Sequence, residues 1–258
     1  MPRTSAIRYM LSMREGGSMP ALLETEDARR YVVKLRGAGQ GPRVLAAEFL
    51  TGEIARRLEL RVPRLTAVTL DAVFGKTEPD PEVRELFQRS AGVNFGLEYL
   101  PQSTVFDPVA GDRVSAEEAS RVVWLDAFVR NVDRTPRNAN LLMKDHKLWL
   151  IDHGASMIFH FHWPSAQSKA VDAFAAIRDH ILLPCAGEIA GASTWAHERL
   201  TAEFFAELVA AVPEEFLPED DGVSVEEQRA GYRAYFAERL KHSAIFEEEI
   251  VRVRAQSL

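Results

Sequence analysis

One segment, 131–156, constrains the fold more than any other part of the chain. Residues 140–151 hold two short apolar runs, N-L-L-M and K-L-W-L-I, separated by a polar turn, and this pattern predicts a two-stranded hairpin. Because a hairpin brings its ends together, we expect Asn138, which precedes the first run, to lie beside Asp152, which follows the second. Asp133 stands five residues before Asn138, on the loop that enters the hairpin.

The residue types at the open end of this hairpin favour one kind of chemistry. Magnesium prefers oxygen ligands, which Asn138 and Asp152 supply, and a carboxylate such as Asp133 can orient an attacking hydroxyl. Phosphoryl transfer needs both features together with groups that bind phosphates. We therefore assign Asp133 as the candidate catalytic residue and Asn138 and Asp152 as candidate magnesium ligands. Asn140 could share in metal binding, but the D-x-x-x-x-N spacing favours Asn138.

Groups that could bind phosphates occur earlier in the chain. A glycine turn, E-G-G-S-M-P, could cover phosphates with the backbone N–H groups of Gly16, Gly17 and Ser18. Segment 31–37, Y-V-V-K-L-R-G, predicts a strand that places Lys34 between apolar positions. A glycine turn, a strand lysine, a helix glutamate and two later aspartates follow one another in the order found in kinases.

A helix predicted over 43–60 carries the partner for this lysine. At about 100° per residue, the apolar stripe that contains Ala47 leaves Glu48 at its edge and Glu53 on the opposite side, toward water. Glu48 is therefore the better partner for Lys34.

The rest of the pattern predicts an α+β chain with a small β-rich N-terminal part and a larger helical C-terminal part. Short strand-like runs dominate residues 1–100, including 61–71 and 93–101. Helical periodicity dominates residues 101–258. The helices predicted there cover 115–131, 170–183, 196–212 and 224–240.

Composition limits the class of protein. The formal net charge of −7 and the pI of about 5.6 argue against a broad nucleic-acid-binding surface. The single cysteine, Cys185, cannot form an internal disulfide, which fits a reducing compartment. The sequence has neither an apolar signal segment nor a run of about eighteen apolar residues. We therefore expect a soluble, cytoplasmic protein with no membrane span.

On these motifs the sequence resembles the HipA-like kinases, a bacterial branch of the protein-kinase-like fold. The shared motifs are G-G-S with Pro20, Y-V-V-K ending at Lys34, A-E-F-L around Glu48, L-R-V-P ending at Pro63, N-V-D-R at 131–134, N-A-N at 138–140 and L-I-D-H-G at 150–154. The resemblance implies a two-lobed protein-kinase-like fold with an N-lobe of 1–100 and a C-lobe of 101–258. It also implies ATP and magnesium as cofactors and a protein serine or threonine as acceptor.

The family also suggests how this chain would bind adenine and how it would be regulated. The stretch E-Y-L-P would be the hinge, at which Glu98, Tyr99 and Leu100 offer backbone groups to adenine. Ser18 would be an autophosphorylation site, although serine is also a common turn residue. A toxin-type member would act with a separate antitoxin, and nothing in this chain resembles a helix-turn-helix partner.

Two polar residues near the candidate site need their own explanation. Asp126 lies in the apolar helical run W-L-D-A-F, where a buried carboxylate would need partners and could orient the catalytic loop. Its alternative is a place on the solvent-facing side of that helix. Arg134 follows the candidate catalytic residue and could either neutralise phosphate charge or brace the loop, and we favour the brace.

Two other functions stay open at this point. Four histidines, His146, His153, His160 and His162, accompany the aspartates and could belong to a metal-dependent hydrolase. That interpretation leaves the lysine and the glycines without a role, and no H-x-x-x-H spacing is present. The other alternative is a pseudokinase, which binds nucleotide without transferring phosphate.

Overall fold

The computed structural model describes residues 1–12, 19–39, 41–76, 78–219 and 221–256. The candidate phosphate-binding residues Gly16, Gly17 and Ser18 lie outside these described residues.

A closed barrel forms the N-terminal part of the described chain. Its strands are β1 (Arg3–Ser12), β2 (Ala21–Thr25), β3 (Arg30–Lys34), β4 (Leu65–Leu70) and β5 (Gly92–Glu98). Their spatial order is β1-β2-β3-β5-β4, and parallel pairing of β1 with β4 closes the ring. The sequence pattern predicted β3, β4 and β5 but neither β1 nor β2. Irregular register at two points of the β1–β2 pairing explains this, because bulges interrupt the alternation of apolar and polar residues.

Two helices pack against the barrel from different sides. Helix α2 (Pro81–Arg89) buries Phe87 in the same apolar cluster as Leu23 and Val33 of the strands. Helix α1 (Arg43–Arg57) instead belongs to the larger apolar cluster that it shares with the helical part. Most of its residues are buried, so α1 lies between the barrel and the C-terminal helices.

The C-terminal part is mainly helical. Its helices are α3 (Ala116–Val129), α4 (Ala166–Ala170), α5 (Ile189–Arg199), α6 (Ala202–Ala210), α7 (Val225–Lys241) and α8 (Ser243–Ala255). Helix α3 is buried on nearly every side, and Phe128 stacks with Trp124, Phe205 and Phe236 in its core. A small sheet has three strands, in the spatial order β6 (Thr104–Val105), β7 (Leu141–Lys144) and β8 (Lys147–Leu150). Strand β6 precedes α3 in the sequence, and β7 and β8 follow it.

Arg43, at the first turn of α1, ties this helix to the C-terminal part. Arg43 is 6% exposed, and its guanidinium donates to the carbonyl of Pro218 at 3.1 Å and forms an ion pair with Asp221 at 2.8 Å. The helix that carries Glu48 is therefore fastened to the helical part by charge as well as by apolar packing.

Two predicted helices are wrong in detail. Residues 170–183 do not form one helix, because Phe174 adopts a left-handed conformation and its N–H donates to the Asp172 carboxylate at 2.7 Å. Two short 3-10 turns, Ala175–Asp179 and Leu183–Cys185, follow instead. The helix predicted over 196–212 is divided between α5 and α6.

This division has a local cause that the sequence contains. Leu200 leaves helical geometry, and Thr201 caps α6 by accepting a hydrogen bond from the N–H of Phe204 at 3.2 Å. Helix α2 also has a sequence signal, because Asp80 caps it and Pro81 occupies its first position. None of the helices in the described ranges combines the length and apolar content that a membrane span requires.

Candidate active site

The predicted hairpin is present as β7 and β8, with Leu141 paired to Leu150. At its open end the N–H of Ile151 donates to the carbonyl of Asn140 at 3.1 Å. Asn140 and the residue that follows Ile151, Asp152, both have left-handed backbones, a conformation that Asn and Asp tolerate better than most residues. The hairpin therefore places Asn140 at its open end, opposite the residue that precedes Asp152.

Asp133 is held by the two asparagines that follow it. Its Oδ2 accepts hydrogen bonds from Nδ2 of Asn138 at 2.8 Å and from Nδ2 of Asn140 at 3.2 Å. Nδ2 of Asn140 also donates to the backbone carbonyl of Asp133 at 2.9 Å. The N–H of Asp133 donates to Oδ1 of Asn131 at 3.1 Å. These contacts fix the half-buried carboxylate at the mouth of the hairpin and direct the amide nitrogen of Asn140 toward it.

Lys34 joins the barrel to this site. Its Nζ donates to Oε1 of Glu48 and, at 2.5 Å, to Oδ1 of Asp152, which lies 118 residues later in the chain. The second oxygen of Glu48 accepts the N–H of His153 at 2.9 Å. Glu48 thus holds both the strand lysine and the D-H-G segment, as expected for the glutamate at the edge of the apolar stripe.

The charges in this cluster perturb one another. Burial acts to lower the pKa of Lys34, but the Glu48 and Asp152 carboxylates outweigh it and hold that pKa above its usual value. Burial acts to raise the pKa of Asp152, and the Lys34 charge reverses this effect and lowers the pKa. Burial dominates at Glu48 and raises its pKa. Asp152 therefore stays ionised beside an ammonium group that is always charged near neutral pH.

Gly154 allows this close packing. A Cβ atom at this position would lie 2.6 Å from Cγ1 of Val44 and 2.9 Å from Oε1 of Glu48. Both of these residues belong to α1, so the backbone of the D-H-G segment approaches that helix more closely than any other residue would permit.

A buried polar network centred on Asp126 lies behind the loop 131–140, which carries the candidate catalytic residue. Its Oδ2 accepts from Nε of Arg134 at 2.5 Å and from Nε2 of His180 at 2.9 Å, and its Oδ1 accepts from Nδ2 of Asn131 at 3.1 Å. Arg134 is 1% exposed and also donates to the carbonyl of Asn140. Arg134 thus braces the loop from inside, as the sequence analysis favoured, and Asp126 faces the protein interior.

Burial and charge set the protonation of this network. Burial acts to raise the pKa of Asp126, but the Arg134 charge and the His180 hydrogen bond hold it well below its ordinary value. Burial lowers the pKa of His180, whose Nδ1 accepts the N–H of Leu182 at 3.0 Å. Burial, reinforced by the Arg134 charge, lowers the pKa of His153 to about 3. Both histidines are therefore neutral at pH 7, and the carboxylate and guanidinium carry the charges.

Sequence reasoning missed His180 and Asn131 as members of this network. Asn131 had a local signal, since an Asn two residues before an Asp can accept that residue's N–H, as it does here. His180 lies 54 residues from Asp126 and had none, because its segment was taken for a helix.

The predicted hinge lies at the end of β5. The N–H of Glu98 donates to the carbonyl of Arg64 at 2.9 Å, and that of Tyr99 donates to the carbonyl of Arg30 at 2.8 Å. Both N–H groups are therefore already engaged in hydrogen bonds within the N-terminal part of the chain. Across the described chain no acceptor engages the N–H of Leu100, which leaves it as the donor that an added ring could use.

The histidine-rich segment does not form a metal centre. His160 belongs to a 3-10 turn, and its Nδ1 lies 2.8 Å from the Tyr232 hydroxyl in a buried aromatic cluster. In the described ranges no three side chains of His, Cys, Asp or Glu are grouped so as to hold a metal ion. The hydrolase alternative therefore loses its structural basis within that part of the chain.

Comparison with solved structures identifies a kinase with the same fold. The crystal structure of a Helicobacter pylori proinflammatory kinase, CtkA, matches with a TM-score of 0.62 and 11% sequence identity. The match covers 97% of this chain and 99% of the other. A comparison with curated proteins gave no significant match. The family model described as HipA-like kinase matches residues 7–238. The chain therefore belongs to the HipA-like kinase family.

Proposed function

We propose that this protein is an ATP- and magnesium-dependent kinase that transfers the γ-phosphoryl group to the hydroxyl of a protein serine or threonine. One observation carries the proposal: Lys34, Glu48 and Asp152 contact one another, and a backbone hydrogen bond from Ile151 to Asn140 joins this cluster to the loop that holds Asp133. Binding of one ligand by the barrel and the helical part would account for this convergence. The barrel, 1–100, and the helical part, 101–258, then act as the N-lobe and C-lobe of a kinase.

The residues present fit a magnesium ion. Magnesium takes one or two carboxylate or carbonyl ligands from the protein, and its other ligands are phosphate oxygens and water. A dense acidic or histidine cluster is therefore not required. The Asp152 carboxylate and the Asn140 amide carbonyl would supply its protein ligands. When bound, the ion neutralises charge that develops on the phosphates.

We assign the second ligand to Asn140 in preference to Asn138. Asn140 is opposite Ile151 and therefore next to Asp152, and its amide nitrogen is committed to Asp133, which leaves its carbonyl oxygen for a cation. The exposed amide of Asn138 instead makes a single contact with the Asp133 carboxylate.

The other residues would hold the nucleotide. Lys34, positioned by Glu48, would contact the phosphates, and the Leu100 N–H would donate to the adenine ring beside Glu98 and Tyr99. By the family resemblance, the backbone N–H groups of Gly16, Gly17 and Ser18, which lie outside the described residues, would donate to the phosphates. This part of the proposal rests on the family.

Asp133 would receive the acceptor. The acceptor oxygen forms a bond to the γ-phosphorus while the bond from that phosphorus to the β–γ bridging oxygen breaks, and ADP leaves with the electron pair. The hydroxyl proton passes to the Asp133 carboxylate, which Asn138 and Asn140 hold toward the cleft. Asp126, Arg134, His180 and Asn131 would keep the loop in place throughout.

A direct test combines ligand binding with transfer. Mg·ATP should raise the unfolding temperature of the wild type. The free energy of unfolding should rise by about 2.7 kcal/mol when Mg·ATP is at a hundred times its dissociation constant. Asp133→Ala should keep this rise and lose transfer, whereas Asp152→Ala and Asn140→Ala should lose most of it. Asn138→Ala is the matched control and should retain the rise.

The outcomes separate the alternatives. Binding of Mg·ATP without phosphorylation of any protein, lipid or small-molecule acceptor would identify a pseudokinase. Full transfer activity in Asp133→Ala would remove that residue from the proposed chemistry. If Asn138→Ala, and not Asn140→Ala, lost the nucleotide-dependent rise, the assignment of the second ligand would revert to Asn138.

A further inference from the structure

The catalytic loop presents one cationic side chain that the proposed chemistry does not use. Thr135 and Asn138 form an isolated antiparallel bridge, in which each N–H donates to the other's carbonyl at 2.9 and 3.0 Å. Pro136 and Arg137 form the exposed tip of this tight turn. Within the described residues, the guanidinium of Arg137 has no hydrogen-bond or ion-pair partner.

This tip is attached to the candidate catalytic carboxylate. Asn138, the residue after Arg137, donates from Nδ2 to Oδ2 of Asp133 at 2.8 Å. The other arginine of the loop, Arg134, points inward and is already bonded to the Asp126 carboxylate and to the carbonyl of Asn140. Arg137 is thus the positive charge that the loop offers to a molecule approaching Asp133 from solvent.

Exposed apolar side chains occur on this loop and on a turn that is bonded to its start. Val132, directly before Asp133, is 42% exposed. Ile158 and Phe161, 46% and 36% exposed, lie on the 3-10 turn Ile158–Phe161 that follows the D-H-G segment. The N–H of Met157 donates to the carbonyl of Val129 at 2.8 Å and fastens this turn against the end of α3, where the catalytic loop begins. An exposed cation and exposed apolar side chains on these two connected segments match a ligand with one acidic and one apolar group.

The net charge of the whole chain limits the class of partner that this loop can bind. A net charge of −7 disfavours broad anionic surfaces such as nucleic acid or an acidic membrane. A lone arginine can still pair with one carboxylate on a protein segment, and the exposed apolar side chains can contact its neighbours.

We propose that Arg137 selects protein acceptors that carry an acidic residue close to the phosphorylated hydroxyl, with an apolar residue beside it. This inference rests on the proposed kinase function and names the acceptor class of that same site.

The experiment uses the full chain, Mg·ATP and a positional peptide library with a central serine or threonine. Each neighbouring position is fixed in turn as Glu, Gln or Lys, and kcat/KM is compared. The wild type should prefer Glu over Gln by about two- to fivefold at one or more positions, the range of an exposed ion pair. The preference should weaken at about 1 M salt, where the screening length is about 3 Å.

Variants test whether Arg137 is the cause. Arg137→Gln should bring the Glu-to-Gln ratio close to one, and Arg137→Glu should invert the order so that Lys is preferred. Lys241→Gln, which removes an exposed cation at the end of α7, is the matched control and should keep the wild-type ratio.

Several results would overturn the proposal. An unchanged order of preference in Arg137→Glu would show that another residue reads the acceptor. An equal loss with every peptide in Arg137→Gln would assign the guanidinium to the ATP phosphates. Phosphorylation of lipid vesicles or small molecules but of no peptide would exclude a protein acceptor. Absence of an Mg·ATP-dependent thermal shift in the wild type would instead reject the kinase function itself.

Discussion

The contact between Gly154 and α1 makes a quantitative prediction. In Gly154→Ala the new methyl group would lie 2.6 Å from Cγ1 of Val44, whereas ordinary contacts begin at 3.4 Å. The backbone of Gly154 is not left-handed, so the whole penalty comes from this overlap. Overpacking of a rigid interface costs about 1–3 kcal/mol. For a domain of this size, each kcal/mol lowers Tm by about 2–4 °C.

The same methyl group should disturb the site, because it would also lie 2.9 Å from Oε1 of Glu48, the oxygen that accepts the Lys34 hydrogen bond. A hydrogen bond to a charged group is worth about 1.5–3 kcal/mol, so kcat/KM for Mg·ATP should fall by about tenfold or more.

The assay is thermal unfolding with and without Mg·ATP, followed by initial rates. Gly191→Ala is the matched control, because a Cβ at this exposed position of α5 would have no neighbour within 4 Å. This control should keep its activity and gain about 0.5–1 kcal/mol of stability from helix propensity. If Gly154→Ala kept both Tm and kcat/KM at wild-type values, the close approach of the D-H-G segment to α1 would not govern Glu48.

Two further predictions concern stability. Burial lowers the pKa of both His153 and His160 to about 3, so the unfolded chain binds protons at these residues below pH 6.5 while the folded chain does not. Each should therefore reduce the free energy of unfolding by about 1.4 kcal/mol per pH unit as the pH falls from about 6.5 toward 3. Urea titrations at pH 7, 6 and 5 measure this slope, and a free energy of unfolding that does not change with pH would contradict the prediction. Ser224→Ala removes the acceptor for the N–H of Glu227 in the capping box of α7. The free energy of unfolding measured in urea should fall by about 0.5–2 kcal/mol, and a change in Mg·ATP affinity would contradict a purely local role.

Much of the candidate site was predictable from sequence because its parts are local. The hairpin, the strand that ends at Lys34 and the helix that carries Glu48 each depend on periodicity within about ten to twenty residues. The pairing of Lys34 with Glu48 followed from one angular argument about α1, and the contact is present.

The remainder depends on contacts that have no local pattern. The five-residue spacing predicts Asn138 as the second metal ligand, whereas our proposal of Asn140 depends on its pairing with Ile151 at the end of the hairpin, which that spacing does not contain. Closure of the barrel could not be predicted, because strand composition does not reveal which strands become neighbours. The break at Phe174 depends on the Asp172 side chain, which also pairs with Arg130.

Closure of the barrel also has a consequence for the order of folding. The seam joins Arg3, Thr4 and Ser5 to Ala67, Val68 and Thr69, so the N-terminal strand has to wait for a partner more than sixty residues away. Such distant pairings form slowly, because the intervening chain loses much of its freedom first. Until β4 is available, the hairpin of β1 and β2 exposes an unpaired edge that other strands can recognise. Substitutions in the seam should therefore affect the yield of folded protein during synthesis more than the stability of the finished molecule.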